Sequence, residues 1–226
     1  MLSRIRAFVF VIEFAITIAI VIFLMFLFNK QNRKIRQIWA KIQKFFIGYK
    51  LNILGNQDET ANLLIINHQS LVDIILIEDI HHSNIAWCAK KELFSNPFTR
   101  FALSLPKMIE VDRNDKRAIV KLINDAKDRL KHERVIAIFP EGTRGNGDRL
   151  LKFQMGAKIL AQKLNLKVQP IVINGTQNVF DMKKFKITPG KIDISFMSIV
   201  DINDSNWYEN LHISMQKELS NLRQKN

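Results

Sequence analysis

The chain has 226 residues, enough for one globular domain with a short appendage rather than for two full domains. Its formal net charge of +13 predicts a partner that carries negative charge: a nucleic acid, an anionic membrane surface, or an acidic protein or substrate. The single cysteine, Cys88, excludes an internal disulfide and any metal site built from several cysteines.

The N-terminal sequence predicts a retained membrane anchor. Residues 7–28 are apolar except for Glu13 and Thr17, and as a helix they would extend about 33 Å, enough to cross a bilayer core of about 30 Å. The stretch after Glu13 would cover only about 22 Å, so both a spanning helix and one that enters a single leaflet stay open. Basic residues that follow the anchor place the bulk of the chain on the cytoplasmic side of the cytoplasmic membrane.

Residues 29–49 predict an amphipathic helix directly after the anchor. Its apolar face has two candidate locations, the core of the domain or the lipid interface, and its place beside the anchor favours the lipid interface. The apolar residues at helical spacing are Ile35, Ile38, Trp39, Ile42, Phe45 and Phe46.

Beyond residue 50, short apolar runs typical of strands alternate with helical patterns. This alternation predicts an α/β fold, a mostly parallel mixed sheet flanked by helices. The predicted strands are 62–66, 85–89, 108–111, 135–139, 168–173 and 191–200, and the predicted helices are 71–80, 97–105, 116–132, 151–164 and 206–223.

Two polar clusters follow predicted strands, where ligands collect in open α/β sheets. They are NHQSLVD, residues 67–73, and PEGTRGNGD, residues 140–148. In the first cluster, Ser70 and Asp73 have the spacing of a helix-starting capping box. The cap does not account for His68, which an Asp73 carboxylate could orient as a base. The sequence leaves open whether Asp73 turns towards His68 or back to the cap.

Other kinds of site fit the sequence poorly. A serine hydrolase is excluded because no G-x-S-x-G elbow is present. His81 and His82 lack the spacing of a zinc site, so no metal is expected. The second cluster lacks the P-loop spacing, but Arg144 and its neighbouring glycines suit a phosphate monoester.

Four motifs in order, NHQSLVD, VDR, FPEGTR and VQPIVINGT, resemble those of the glycerolipid acyltransferases, in particular the bacterial 1-acyl-glycerol-3-phosphate acyltransferase family. The resemblance covers residues 63–176. It implies transfer of a fatty acyl group from an acyl-carrier protein or coenzyme A thioester to the sn-2 hydroxyl of lysophosphatidic acid, giving phosphatidic acid. No cofactor beyond the thioester co-substrate is implied, and residues 51–226 would form the catalytic domain behind an anchor in residues 1–50.

The resemblance also implies roles for individual residues. His68 would be the base and Asp73 its orienter, and Lys90 or Lys91 would lie near the thioester carbonyl. The second motif departs from the usual family form in having Glu110 at a position that is normally apolar, which bears on the choice of acceptor. The residues implied to bind the phosphate and glycerol of the acceptor are Arg113, Glu141, Gly142, Thr143 and Arg144.

Three alternatives remain beside this function. The acceptor could be another lysophospholipid, glycerol 3-phosphate or a lyso-aminolipid, or the chain could be a degenerate acyltransferase that acts as a scaffold. A membrane-tethered nucleic-acid-binding protein would explain the charge, but the basic residues are spread along the chain without a binding signature, so no nucleic acid is expected. The expected partners are lysophosphatidic acid, the thioester donor and anionic membrane lipid.

Overall fold

Two helices form the N-terminal part of the computed structural model, which describes residues 1–112 and 118–224. Helix α1 covers Leu2–Leu27, and helix α2 covers Asn32–Ile47 after a short 3₁₀ turn, Asn29–Gln31. With 26 residues, α1 is about 39 Å long, and its length and composition would let it cross a membrane. This apolar helix indicates that the chain associates with a membrane.

Helix α1 packs against the rest of the chain along one face only. Ala7, Phe10 and Met25 are buried there, whereas outward-facing residues such as Phe23 and Phe26 are 60% and 72% exposed. Glu13 and Thr17 of α1 face α2, because Gln43 donates from Nε2 to Oε1 of Glu13 at 2.8 Å and to Oγ1 of Thr17 at 3.2 Å. The outer face of α1 is therefore apolar and uncovered, as a lipid-facing helix requires.

Helix α2 packs against the core on one side and is exposed on the other, so both locations that its sequence allowed, the core and the lipid interface, fit the structure. Trp39 and Ile47 are buried against the neighbouring helices. Ile38, Ile42 and Phe45 remain exposed on the other side, between exposed lysines. One side of the helix therefore belongs to the core, and the other has the mixed apolar and basic character of a lipid interface.

Seven strands of the described chain form one sheet, in the order β1–β9–β6–β2–β5–β3–β4. Neighbouring strands are parallel except for the antiparallel pair β6 and β9, which confirms the predicted mostly parallel mixed sheet. Strands β7 and β8 form a separate antiparallel hairpin. The strands are β1 Lys50–Leu54, β2 Leu63–Ile66, β3 Ile85–Lys90, β4 Ile109–Val111, β5 Val135–Ile138, β6 Val168–Asn174, β7 Phe180–Asp181, β8 Lys186–Ile187 and β9 Lys191–Phe196.

Helices cover both faces of the sheet, which confirms the predicted layers. Because side chains of a strand alternate between faces, Leu64 and Ile66 pack with α1 to α3 whereas Leu63 and Ile65 pack with α6, α7 and α9. The helices after α2 are α3 Val72–Ile80, α4 Lys91–Ser95, α5 Pro97–Ser104, α6 Ala118–Lys131, α7 Met155–Leu164, α8 Thr176–Val179 and α9 Trp207–Gln224.

The predicted helix over residues 151–164 is wrong in its first four residues. Helix α7 begins at Met155 because the preceding backbone is bonded elsewhere: Leu151 N donates to Glu141 Oε2 at 2.7 Å, and Gln154 N donates to Pro140 O at 2.8 Å. Residues 116 and 117 of the predicted helix 116–132 lie outside the described part of the chain. Strand β1, helices α4 and α8 and the hairpin were not predicted.

Candidate active site

The first polar cluster forms the turn between strand β2 and helix α3. Nδ1 of His68 lies 2.8 Å from Oδ2 of Asp73. The same oxygen accepts hydrogen bonds from the backbone N–H groups of Gln69 and Ser70, at 2.7 and 2.8 Å. Asp73 therefore turns towards His68 and also satisfies free backbone donors at the start of the helix.

The second oxygen of Asp73 has a partner from a distant part of the chain. Thr176, which begins α8 after strand β6, donates its hydroxyl to Oδ1 at 2.5 Å. Asp73 is fully buried, and its two oxygens accept the backbone N–H groups and the Thr176 hydroxyl, so the tautomer of His68 that donates from Nδ1 completes this set of hydrogen bonds. Nε2 is then the basic nitrogen of the imidazole.

An aromatic stack fixes the plane of the His68 ring. Phe139, directly after strand β5, lies 3.9 Å from it between ring centroids, with the planes 12° apart. Trp87 of strand β3 stacks on Phe139 at 5.3 Å and donates its indole N–H to Glu78 at 2.7 Å. The ring is therefore held both at one nitrogen and across its face.

The second polar cluster holds the backbone of the first. Glu141 accepts the His68 N–H at Oε1 over 2.8 Å and the Leu151 N–H at Oε2 over 2.7 Å, while Gly145 N donates to His68 O at 2.8 Å. Burial raises the pKa of Glu141, and the backbone donors oppose that shift. The Glu141 carboxylate therefore joins the two clusters, and both of its oxygens accept bonds from the protein.

The residues after Glu141 face outward. Gly142 has φ of 73°, a left-handed conformation that favours glycine, and turns the chain so that Thr143 and Arg144 are exposed. All three line the cavity described below. A guanidinium nitrogen of Arg144 lies 3.0 Å from Sδ of Met182 in the loop between β7 and β8. Arg144 is thus a cation at the edge of the cavity.

The structure distinguishes the two candidate lysines. Lys90 lines the cavity and pairs with Glu92 at 3.1 Å, whereas Lys91 pairs with Asp112 at 2.8 Å. Lys90 is therefore the better placed of the two to reach a ligand in the cavity. Arg113, the remaining candidate, lies outside the described residues.

A cavity of about 1620 Å³ extends from this site. His68 is part of its wall, and most of the rest is apolar, including Ile18 and Met25 of the membrane helix α1 and Leu103 of α5. A long aliphatic chain would be shielded from water here while its reactive end lies beside an imidazole base. The arrangement fits chemistry on a lipid.

Three residues that help to position His68 were missed by sequence reasoning: Phe139, Trp87 and Thr176. Phe139 and Thr176 lie within the FPEGTR and VQPIVINGT motifs, so the signal was present in the sequence. Their roles depend on the order of strands β6, β2, β5 and β3, which places their side chains around one turn. No local spacing could have revealed those contacts.

Comparison with known proteins defines the class to which this fold and site belong. A family model described as Acyltransferase matches residues 50–174, a range that contains both polar clusters and the strands between them. The chain belongs to this acyltransferase family.

Individual relatives are more specific. The chain is 39% identical over 221 residues to the 1-acyl-sn-glycerol-3-phosphate acyltransferase of Helicobacter pylori, covering 96% of this chain and 93% of that protein. It is 30% identical over 192 residues to a chloroplast 1-acyl-sn-glycerol-3-phosphate acyltransferase of Arabidopsis thaliana, with 78% and 53% covered. The crystal structure of the 1-acyl-sn-glycerophosphate acyltransferase PlsC from Thermotoga maritima has the same fold, with a TM-score of 0.79, 21% identity, and 98% and 96% covered.

Proposed function

We propose that this protein transfers a fatty acyl group from a thioester to the sn-2 hydroxyl of 1-acyl-glycerol 3-phosphate, giving phosphatidic acid. The observation that carries the proposal is the His68–Asp73 pair, 2.8 Å apart, in the wall of a large apolar cavity. The identity and mutual coverage with the Helicobacter pylori enzyme support the choice of acceptor. The geometry supports the reaction type, and the relative supports the substrate.

The proposed chemistry is direct transfer. Nε2 of His68 removes the proton from the acceptor hydroxyl, and the oxygen attacks the thioester carbonyl, forming the new C–O bond. The C–S bond then breaks, and the thiolate takes the proton back from the imidazolium to leave as a thiol. Asp73 stabilises the imidazolium through Nδ1, and the face of Phe139 adds a favourable contact with the transient cation.

The proposed binding roles follow from position and charge. Arg144, with the turn at Gly142 and Thr143, would bind the acceptor phosphate at the cavity edge, since a guanidinium offers a planar fork of donors to phosphate. Lys90 would approach the thioester end of the donor. Arg113 keeps its phosphate-binding role as a prediction from the sequence.

The donor is proposed to be acyl-carrier protein or coenzyme A thioester, and no cofactor is proposed. Both donors are anionic, as is the lipid acceptor, and the net charge of +13 suits each of them. The catalytic residues are proposed to lie on the cytoplasmic side of the cytoplasmic membrane, because basic residues follow the apolar helix in the sequence.

The proposal is tested with purified protein in detergent, lysophosphatidic acid and each acyl thioester in turn, with formation of phosphatidic acid as the measurement. We expect product with at least one donor. His68→Ala should lower turnover by at least about 100-fold, because a general base typically contributes that much. The control is His132→Ala, which removes an imidazole that is 66% exposed and should leave turnover unchanged. Absence of product with both donors, or an active His68→Ala protein, would refute the proposal.

A further inference from the structure

Helices α4 and α5 form a short helical hairpin with apolar residues on both of its faces. Phe94 and Leu103 pack inward against the core. On the outer face, Leu93, Phe98 and Phe101 are 42%, 83% and 52% exposed. A soluble surface would normally carry polar residues at such positions, so this patch needs a partner that tolerates apolar side chains.

The backbone of the hairpin is held by a helix cap and by a bond to the core. Asn96 caps α5 by accepting the Phe98 N–H at 2.9 Å, and Pro97 occupies the first turn, as is typical of a helix start. Beyond the helix, Arg134 donates to Pro106 O at 2.8 Å and ties the chain back to the core. The outer face is therefore a fixed surface rather than a loosely held loop.

The surroundings of the patch identify its partner. Helix α5 contacts α1, whose own outer face is apolar and uncovered. The patch thus lies on a helix that adjoins α1. Exposed Arg100 and Lys107 flank it, which suits the anionic headgroups at the edge of a leaflet.

The patch also lies at the boundary of the cavity. Ala15, Ile18 and Ile22 of α1 line one side, and Leu93, Phe98 and Ala102 line another. Phe98 is both strongly exposed and part of this lining, so the cavity reaches the surface beside α5. An acyl chain that moved sideways out of a leaflet at this point would pass from lipid into the cavity without crossing water.

We propose that the α4–α5 hairpin is a second membrane-contacting element, with Leu93, Phe98 and Phe101 in the apolar part of the leaflet beside α1. The part of the cavity lined by α1 and α5 is the entrance for the acyl chain of a membrane lipid. The entrance rests on the proposed acyltransferase function, whereas the membrane contact stands independently of it.

The membrane contact is tested by placing an environment-sensitive fluorophore on Phe101→Cys and, as a control, on Ile213→Cys. Ile213 is 65% exposed on α9, a helix that packs on β6. The parent chain, labelled in parallel, gives the background from Cys88. In vesicles of phosphatidylcholine and phosphatidylglycerol, we expect the emission of the label at 101 to shift to the blue and to be quenched by a quencher attached to the lipid acyl chains. The label at 213 should show neither effect.

Equal behaviour of the two labels would overturn the contact. A blue shift that requires added acyl-carrier protein would instead assign the patch to that protein and would also overturn it.

The entrance is tested with Phe101→Ser and the matched control Val120→Ser, which removes a 60% exposed apolar residue from α6. With acceptor embedded in vesicles, Phe101→Ser should lower the rate by about tenfold, the effect of losing one buried aromatic contact, while Val120→Ser changes it little. With a short-chain acceptor dissolved as monomers, the rates of both variants should stay within about twofold of the parent rate.

Equal losses of rate by Phe101→Ser on the two acceptors would overturn the entrance. A parent chain that turns over neither acceptor would refute the proposed function, and the fluorescence result would still decide the membrane contact.

Discussion

Asp73 is the residue on which the site depends most, because one carboxylate organises four different groups. One oxygen receives the His68 imidazole and two backbone N–H groups, and the other receives the Thr176 hydroxyl. The same set of hydrogen bonds therefore starts helix α3 and orients the imidazole. A change that disturbs the start of α3 also disturbs the imidazole.

Asp73→Asn is expected to abolish most activity while leaving the chain folded. An asparagine amide can donate to Nδ1, which would move the imidazole proton to Nε2 and leave no base for the acceptor hydroxyl. We expect the rate of phosphatidic acid formation to fall by about 100- to 10,000-fold, the usual contribution of a general base. Far-ultraviolet circular dichroism checks the fold, and a loss of less than about tenfold would contradict the role given to Asp73.

Thr176 offers a milder test of the same network. Thr176→Val leaves Oδ1 of the buried Asp73 without its donor and should cost about 1–3 kcal/mol in the free energy of unfolding, together with part of the activity. Thr176→Ser retains the hydroxyl and should recover most of both. Thermal unfolding in detergent and steady-state rates measure the two effects, and identical behaviour of the valine and serine variants would show that the hydroxyl is unimportant.

At the scale of elements, α2 is fastened to the C-terminal end of the helix whose other end carries Asp73. Arg33 donates to the carbonyl oxygens of His81, His82 and Ser83 just past α3. His81 is the C-terminal cap of α3, so its carbonyl is one that the helix leaves unsatisfied, and a cation is favoured at this end of a helix. Arg36 forms a buried ion pair with Glu78, which also receives the Trp87 indole N–H. The basic sequence after α1 therefore contributes to the fold itself.

His81, at this junction of α2 and α3, makes the stability of the protein depend on pH. Burial lowers its pKa from 6.5 to about 4, so the imidazole is neutral in the folded chain while the unfolded chain begins to bind a proton near pH 6.5. Above pH 6.5, His81 therefore does not lower the free energy of unfolding. As the pH decreases towards 4, protonation of this residue in the unfolded chain lowers the free energy of unfolding by up to about 3 kcal/mol. Thermal unfolding of parent and His81→Gln across this range should show a shallower decline in the variant. The same decline in both, or a flattened curve for the exposed-residue control His132→Gln, would contradict this.

The sequence predicted the buried strands β2, β3, β5 and β6 as short continuous apolar runs, because both of their faces are covered. Strand β9 was predicted from its period-two alternation and the longer helices from their helical spacing, each within about four residues of its observed ends. Strand β1 was not predicted, because it is a short edge strand whose side chains are mostly exposed. Strands β7 and β8 have two residues each and are too short to show a period.

The site could be predicted only as far as local spacing reaches. His68 and Asp73 share one turn, so their pairing could be foreseen from five positions of sequence. The tie between Glu141 and the His68 backbone could not, because it depends on β2 and β5 being neighbours in the sheet. The sequence likewise contained no sign that both Glu141 oxygens would accept bonds from backbone N–H groups.

At the scale of the whole molecule, the membrane helix is also part of the fold. Ala7, Phe10, Val21 and Met25 belong to the same apolar cluster as the inner strands. The ring of Phe10 lies 5.4 Å from that of Phe180 in β7. Removing α1 would therefore expose the core and open the cavity, so a soluble fragment without it is a poor substitute for the full chain.

Phe10 and Phe8 give a matched test of this dual role, because they lie on opposite sides of α1. Phe10 is 3% exposed and Phe8 is 60% exposed. Phe10→Ala should lower the free energy of unfolding in detergent by about 3–5 kcal/mol, the usual effect of emptying a buried aromatic site. Phe8→Ala should change it by about 0.5 kcal/mol or less. Comparable effects of the two substitutions on thermal unfolding would show that α1 is an anchor without a part in the core.

One wall of the cavity belongs to a helix whose opposite face is uncovered and apolar. In a bilayer, lipid tails would contact that face while the other face lines the cavity, so a single helix would separate the host lipid from the site. Under the proposed function, the fatty acids installed by this enzyme become part of the lipid that borders its own substrate cavity.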